Sequence, residues 1–279
     1  MSLQDSFKRT RIAPTPSGFL HLGNVASFVT TLRLARSTGA KVLLRIDDLD
    51  RMRMDERYVQ DIFETLDFLG IDWDEGPGSL LEFEERWSQL HRMEMYRDAL
   101  LRLRDAGVLF ACTCSRTQIA REGGDGGYPG TCRDKGIPLD APDVSWRVRT
   151  DISKKVFVRG IEGRVIEGRL DPGMRDFIVR KKDGFPAYQL TSILDDLYFG
   201  VDLIVRGQDL WPSTLAQLYL APLLPGGEEF LQTCFYHHAL LKNADGGKLS
   251  KSEGAMSIRF LRGKGYSPED IYGLISPLL

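Results

Sequence analysis

The apolar positions near the start of the chain change period twice within forty residues. Thr10 to Ala13 is a short apolar run of strand character, and Pro14, Pro16 and Gly18 break it into a tight loop. Val25 to Ser37 then carries a helical pattern that Gly39 stops, and Lys41 to Ile46 is a second short apolar strand. Strand, loop, helix and strand in that order predict a right-handed parallel crossover, the unit of an α/β fold. Next, Tyr58, Ile62, Phe63, Leu66 and Leu69 recur at helical spacing over Glu56 to Leu69, with Asp55 placed as its N-cap. Glu85 to Ala106 predicts another long helix, its core face carrying Trp87, Leu90, Tyr96, Leu100 and Leu103, and Gly107 ends it.

From Leu109 the character changes to short strands, Ser145 to Thr150, Lys155 to Arg159 and Gly163 to Gly168, in a segment carrying Arg147, Arg149, Lys154, Lys155, Arg159, Arg164 and Arg169. Such a charge run is satisfied by a solvated face; beside an active site it would also suit RNA. Asp176 to Arg180 starts a return to the first pattern, followed by a helix around Tyr188 and a strand from Leu203 that ends at Arg206. Ser213 to Leu223 predicts a helix with Gln217 exposed, and Cys234 to Leu241 a last strand containing His237 and His238, expected as core or edge residues. Ser267-Pro268-Glu269-Asp270 is a helix start leading towards Leu279. The division expected is 1–108 and 176–241 as two halves of a catalytic core, 109–175 as an inserted module, and 242–279 as a loop and short helical tail.

Composition narrows the class. The chain has 279 residues, 42% hydrophobic and 27% charged, which predicts a folded core. Its net charge of −2 gives no global nucleic-acid signal, so any RNA contact must come from local patches. No apolar run approaches the roughly 20 residues of a membrane helix, and the N-terminus lacks the pattern of a secretory signal. Four cysteines without that signal are expected to stay reduced. A cytoplasmic, membrane-free and monomeric protein is the expectation.

The loop that opens the first helix carries the chemistry. It runs Arg11-Ile12-Ala13-Pro14-Thr15-Pro16-Ser17-Gly18-Phe19-Leu20-His21-Leu22-Gly23-Asn24. A parallel crossover puts it at the C-terminal edge of a sheet and the N-terminus of a helix, where backbone N–H groups and the helix dipole favour anions. His21 can hydrogen-bond phosphate, and Gly23 lets a ring or phosphate approach the backbone. The plain alternative is an ordinary turn capped by Asn24. Asp47, Asp48 and Asp50 follow the second strand at the same edge; Asp48 and Asp50 read equally well as loop-capping acids. Arg206 ends a later strand there too, and two arginines, Arg11 and Arg206, suit an anionic substrate through bidentate contacts. Near the C-terminus, Asp245-Gly246-Gly247-Lys248-Leu249-Ser250-Lys251-Ser252 is a glycine-led loop with two lysines that can close over a triphosphate.

Cys112-Thr113-Cys114, a glycine-rich loop and Cys132 place three soft donors within about 20 residues, which suits tetrahedral zinc; buried thiols without metal are the alternative. A fourth donor is needed and no histidine is near; Tyr128 could serve as a phenolate.

His21-Leu22-Gly23-Asn24 resembles the first signature of class I aminoacyl-tRNA synthetases, and Lys248 to Ser252 resembles the second, far apart and in the right order. The stretch Arg11-x-Ala13-Pro14-Thr15-Pro16-Ser17-Gly18 is similar to the glutamyl branch. Cys-x-Cys followed by Tyr-x-x-x-Cys resembles the short glutamyl-queuosine tRNA-Asp synthetases. The resemblance implies a Rossmann-like parallel-sheet catalytic core with an inserted zinc-containing module and a short helical C-terminus. It implies activation of L-glutamate with ATP and Mg²⁺ and transfer to queuosine at the wobble position of tRNA-Asp. It assigns His21 and Lys251 to catalysis, His21, Gly23, Asn24, Lys248 and Lys251 to ATP, and Arg11, Ile12, Ala13, Pro14, Thr15, Asp47, Tyr188 and Arg206 to glutamate. The ammonium group would fall to Asp47, where the family usually has glutamate. One structural zinc would sit on Cys112, Cys114, Tyr128 and Cys132. A longer glutamyl synthetase would continue past Ser252 into an anticodon-binding domain, so the modifying enzyme is expected. The alternatives are a truncated glutamyl-tRNA synthetase charging tRNA-Glu, an inactive tRNA-binding paralogue, and a small-molecule nucleotidylyltransferase.

Overall fold

The computed structural model describes residues 6–123, 126–240 and 257–276. In chain order its main elements begin with β1 (Arg9–Ile12), α1 (Leu22–Thr38), β2 (Lys41–Leu44), α2 (Glu56–Phe68), α3 (Met93–Asp105), β3 (Leu109–Cys112) and α4 (Arg116–Glu122). They continue with β4 (Ser145–Val148), β5 (Lys155–Gly160), β6 (Val165–Arg169), β7 (Ile178–Arg180), α5 (Tyr188–Tyr198), β8 (Leu203–Gly207), α6 (Trp211–Leu220), β9 (Cys234–His238), α7 (Ile258–Gly263) and α8 (Pro268–Ile275). The chain divides into two units. One comprises residues 1–92, 201–209 and 235–279, the other 93–200 and 210–234. This grouping places 176–200 and 210–234 with the inserted segment.

In the first unit, β1 and β2 pair in parallel with Arg11 opposite Leu43 and Ile12 opposite Leu44, joined by the α1 crossover the sequence predicts. Gly39 closes α1 in the left-handed conformation at φ 78°, its N–H donating to the Ala35 carbonyl. The core gathers Ile12, Val25, Phe28, Leu44, Ile46, Ile62 and Leu66 with Ile258, Leu261, Ile271 and Ile275. Asp55 caps α2 by accepting from the Arg57 N–H.

The long helix expected over Glu85 to Ala106 is broken. Short helical turns cover Leu80 to Arg92, interrupted at Ser88, and regular helix resumes only at Met93. The cause lies forty residues upstream: the buried Asp48 carboxylate accepts from Ser88 Oγ at 2.6 Å and from the Gln89 N–H at 2.8 Å. Tyr96, Leu100 and Leu103 are buried as expected, whereas Leu90 is 41% exposed.

The second unit holds an antiparallel sheet ordered β3-β4-β7 and the antiparallel β5–β6 hairpin. Tyr96 donates to Asp195 at 2.5 Å, tying α3 to α5. Gln217, expected on the exposed face of its helix, is instead fully buried in α6, every residue of which from Ser213 to Leu220 is buried. No described helix is long and apolar enough to cross a membrane.

Candidate active site

The first unit brings several of the anticipated residues to one sheet edge. The β1–β2 ladder runs past the strands themselves: the Arg45 N–H donates to the Ile12 carbonyl at 3.0 Å and the Asp47 N–H to the Pro14 carbonyl at 2.9 Å. Ala13 and Pro14 therefore lie beside Ile46 and Asp47 at the C-terminal ends of two parallel strands, the edge at which open α/β sheets take ligands. Thr15 is exposed in the loop that follows. Arg11 is buried, and its Nη1 donates to the Val205 carbonyl at 3.4 Å. The next residue of β8 is Arg206, also buried, its guanidinium 5.1 Å above the Phe235 ring. The two arginines thus come from neighbouring segments of one unit.

His21 begins α1 as its N-cap. Its Nδ1 accepts from the Gly23 N–H at 3.1 Å, and Asn24 Oδ1 accepts from the His21 N–H at 3.0 Å, a reciprocal box in which imidazole takes the place of serine. A neutral ring that accepts at Nδ1 carries its proton on Nε2, so an exposed N–H donor stands at a helix N-terminus. Gly23 suits this fold-back: a Cβ there would lie 3.0 Å from His21 Cε1, a tight contact that the ring would have to ease. The glycine makes room for the motif's own histidine, and the Asn24 carbonyl is engaged in the cap.

The three acids after β2 separate. Asp47 is gripped by Arg45, whose Nε and Nη2 donate to its two oxygens at 2.8 and 3.1 Å. Asp48 serves the Ser88 turn and also accepts from Arg51 at 3.0 Å, a structural arrangement. Asp50 pairs with Arg53. Arg45 is the residue sequence reasoning passed over. Its signal was the Arg-x-Asp spacing, since positions two apart in extended chain face the same side.

On β9, His237 stacks on Phe235 at 6.3 Å and is lowered to about 4, by burial first and then by the Arg206 and His238 charges. His238 is buried, its Nδ1 2.8 Å from the Ala239 carbonyl oxygen.

Tyr188 belongs to the second unit, where it opens α5 and is 40% exposed. With Gln189, Tyr128, Arg147 and Arg175 it lines a cavity of about 330 Å³. Gln189 Nε2 donates to Ser213 Oγ at 3.1 Å.

The cysteines meet in the same unit. The sulfurs of Cys112, Cys114 and Cys132 all lie within 4.8 Å of one another, with Cys114 and Cys132 at 3.5 Å. Tyr128 Oη is 3.4 Å from Cys112 Sγ and accepts from the Cys132 N–H at 2.7 Å. Two sulfurs on one tetrahedral zinc, each at about 2.3 Å, would stand about 3.8 Å apart, so the three sulfurs could close on one ion with shifts of up to about 1 Å. Burial opposes ionisation of Cys132, but hydrogen bonds from Thr113, Cys114 and Tyr128 outweigh it and hold the thiol at about 6. Burial and the contact with Cys132 push Cys114 up to about 11. Burial and the Cys112 contact push the Tyr128 phenol up as well. The cluster therefore presents one thiolate around which a cation could assemble the rest. Lys248 and Lys251 lie outside the described residues.

Similarity to known proteins gives the family. Residues 8–276 match the family model described as tRNA synthetases class I (E and Q), catalytic domain. The Glutamyl-Q tRNA(Asp) synthetase of Dechloromonas aromatica is 38% identical over 256 residues, 90% of this chain and 80% of that protein. Its namesake in Nocardia farcinica is 37% identical over 280 residues, 96% of this chain and 84% of that one. The Glutamate--tRNA ligase of Desulfosudis oleivorans is 34% identical over 278 residues, 97% of this chain but 56% of that protein. Among solved structures, a glutamate tRNA ligase from Elizabethkingia meningosepticum in complex with its amino acid superposes with a TM-score of 0.69 at 22% identity. That match covers 94% of this chain and 54% of that one, and at such identity it speaks for the fold alone. The chain belongs to the catalytic-domain family of class I tRNA synthetases for glutamate and glutamine, and it is a ligase of that class.

Proposed function

We propose that this ligase activates L-glutamate with ATP and transfers the glutamyl group to queuosine in tRNA-Asp. The observation that carries the acceptor is the kinship with proteins named Glutamyl-Q tRNA(Asp) synthetase, 38% and 37% identical over 90% and 96% of this chain. The observation that supports the chemistry is the sheet edge bearing buried Arg11, Asp47 and Arg206 in the same unit as the His21 helix start.

In the first step a glutamate carboxylate oxygen attacks the α-phosphorus of ATP. The bond to the β-phosphate oxygen breaks, leaving glutamyl-adenylate and pyrophosphate. The carboxylate is already ionised, so no general base is needed, and catalysis rests on positioning and charge stabilisation. Arg11 and Arg206 orient the carboxylates, with Thr15 in support, and Asp47 takes the ammonium group; a role for Tyr188 in holding glutamate rests on the sequence motif alone. His21 donates from Nε2 to phosphate, and the N–H groups at the start of α1 favour the same anion. Lys251, with Lys248, offsets the charge on the leaving pyrophosphate; this role rests on the sequence motif. Mg²⁺ arriving with ATP supplies further neutralisation of the triphosphate. One zinc on Cys112, Cys114, Tyr128 and Cys132 would be structural, because four donors leave no open position.

The test is transfer of labelled glutamate to purified tRNA-Asp with and without queuosine, and to tRNA-Glu, alongside ATP–pyrophosphate exchange without RNA. Label on queuosine-containing tRNA-Asp alone is expected. Label on tRNA-Glu instead would make this a minimal charging enzyme, and exchange activity without label on either would overturn the acceptor.

A further inference from the structure

The β5–β6 hairpin presents two unlike faces. Register pairs Lys155 with Arg169, Phe157 with Glu167 and Arg159 with Val165, so these six share one side. The other side carries Val156, Val158, Ile166 and Gly168. Three of these pack on α6: Val156 and Val158 are 5% and 1% exposed, and a Cβ on Gly168 would lie 2.6 Å from Leu215 Cδ2, whereas Ile166 stays 47% exposed. The outer side is open, with Phe157 55% and Val165 59% exposed.

A Phe left in water at the centre of a hairpin, with an exposed Val at its turn end, calls for an occupant. The charges around them say which kind. Lys155 and Arg169 stand at one end and Arg159 at the other, each about 7 Å along the strand from the Phe157–Glu167 pair. Against these three cations stands one carboxylate, Glu167, which is 3.0 Å from Lys155 in an exposed pair of little strength. Beside the two ends Lys154 and Arg164 are exposed with the same sign, and Glu162, exposed in the turn, offsets one of them. An apolar protein surface or a second copy of this face would leave these cations unmatched or opposed to one another. Flat, uncharged rings strung on a polyanion satisfy both parts at once.

The structure also sorts the seven cations of this segment. Arg147 lies 3.9 Å over the Tyr128 ring and donates to the Asp176 carbonyl, and Arg149 donates to Asp134 and to the Arg133 carbonyl. Those two hold the unit together. The remainder lie on or beside the hairpin.

We propose that the outer face of the β5–β6 hairpin binds unpaired nucleotides of RNA, with Phe157 as the platform on which a base stacks and Lys155, Arg159 and Arg169 as its phosphate contacts. The assignment deepens the tRNA-modifying reading and rests on its choice of RNA as substrate. Bases stack on aromatic rings irrespective of sequence, and the cations hold the backbone on either side. An unpaired loop, rather than a duplex, can offer its rings to such a platform.

The experiment measures binding of a single-stranded oligoribonucleotide, a duplex of the same length and unfractionated tRNA to the full chain and to Phe157→Ala, Phe157→Tyr and Arg159→Gln/Arg169→Gln. The alanine variant is expected to bind the single strand and the tRNA at least about tenfold more weakly. Tyrosine is expected to restore binding, and the duplex to be little affected. The double glutamine variant is expected to flatten the dependence of binding on salt. Equal binding by Phe157→Ala and the parent overturns the proposal. So does an equal loss for single strand and duplex, or a change of mass in light scattering, which would make the face a contact between copies. If the parent fails to glutamylate tRNA-Asp yet binds the single strand through Phe157, the acceptor assignment falls and this surface stands.

Discussion

Arg45 holds Asp47 through two parallel hydrogen bonds, Nε to Oδ1 at 2.8 Å and Nη2 to Oδ2 at 3.1 Å, with both side chains nine-tenths buried or more. A bidentate grip fixes the direction of the carboxylate as well as its charge. It also bears on the short acid at this position: if Asp47 takes the substrate ammonium, as proposed, the grip would give it a defined edge to offer.

Arg45→Gln is expected to release that grip. Breaking a buried pair from one side leaves an uncompensated charge and costs about 3 kcal/mol, readable as a lower urea midpoint. The glutamate KM in ATP–pyrophosphate exchange is expected to rise at least tenfold while the KM for ATP moves little. Arg45→Lys keeps the charge and loses the fork, so stability should recover more than the glutamate KM does. Unchanged glutamate KM in a folded Arg45→Gln would remove Asp47 from the amino-acid site.

Gly23→Ala tests the histidine cap. The added methyl would sit 3.0 Å from His21 Cε1, and the exposed ring has to shift to relieve the contact, which strains its bond to the Gly23 N–H. Loss of the cap is expected to cost about 1 kcal/mol. Displacing a donor from the phosphate is expected to lower the exchange rate on the order of a hundredfold. A stable variant with full exchange activity would show that His21 does not need this orientation.

The pH dependence of stability should carry a signature of His237. Its folded value is about 4, lowered by burial and by the charges of Arg206 and His238, against an ordinary 6.5. Between these values the unfolded chain holds a proton on this ring that the folded one does not, so stability is full above pH 6.5 and is lost as pH falls towards 4. One proton of difference is worth about 1.4 kcal/mol per pH unit, and the partial exposure of the ring reduces this. His237→Phe should flatten the fall of the melting temperature across that window; an unchanged slope would place the titration elsewhere.

The parts of this architecture that neighbouring residues decide were legible in the sequence. The β1–α1–β2 crossover follows from apolar period and from Gly39, the α2 cap from Asp55, and the thiol cluster from Cys-x-Cys and a return at Cys132. What distant groups decide was hidden. The break at Ser88 is made by Asp48, and the burial of Gln217 by the packing around α6. Gly23 was read as part of a phosphate motif and Asn24 also as a cap, but the fold-back of the His21 ring over Gly23 is a matter of side-chain geometry that spacing does not encode.

Zinc removal tests the second unit. Phe110, Cys112, Tyr128 and Cys132 form a small buried cluster against which, of the described hydrophobic side chains, Cys114, Ile119 and Ile137 pack, with Arg147 over the Tyr128 ring, so there is little apolar area there to hold the loop without a cation. Metal analysis of the purified chain is expected to give one zinc per molecule. Cys132→Ser deletes the sulfur whose thiolate the site already favours, and is expected to lose nearly all the metal and several degrees of melting temperature. Tyr128→Phe keeps three sulfurs and is expected to retain zinc with weaker affinity, since water can take the fourth position. A chelator should reproduce the loss in the parent and change nothing in Cys132→Ser. Full stability of the parent after chelation, with no zinc before it, would show instead that three reduced thiols and a phenol pack this loop unaided.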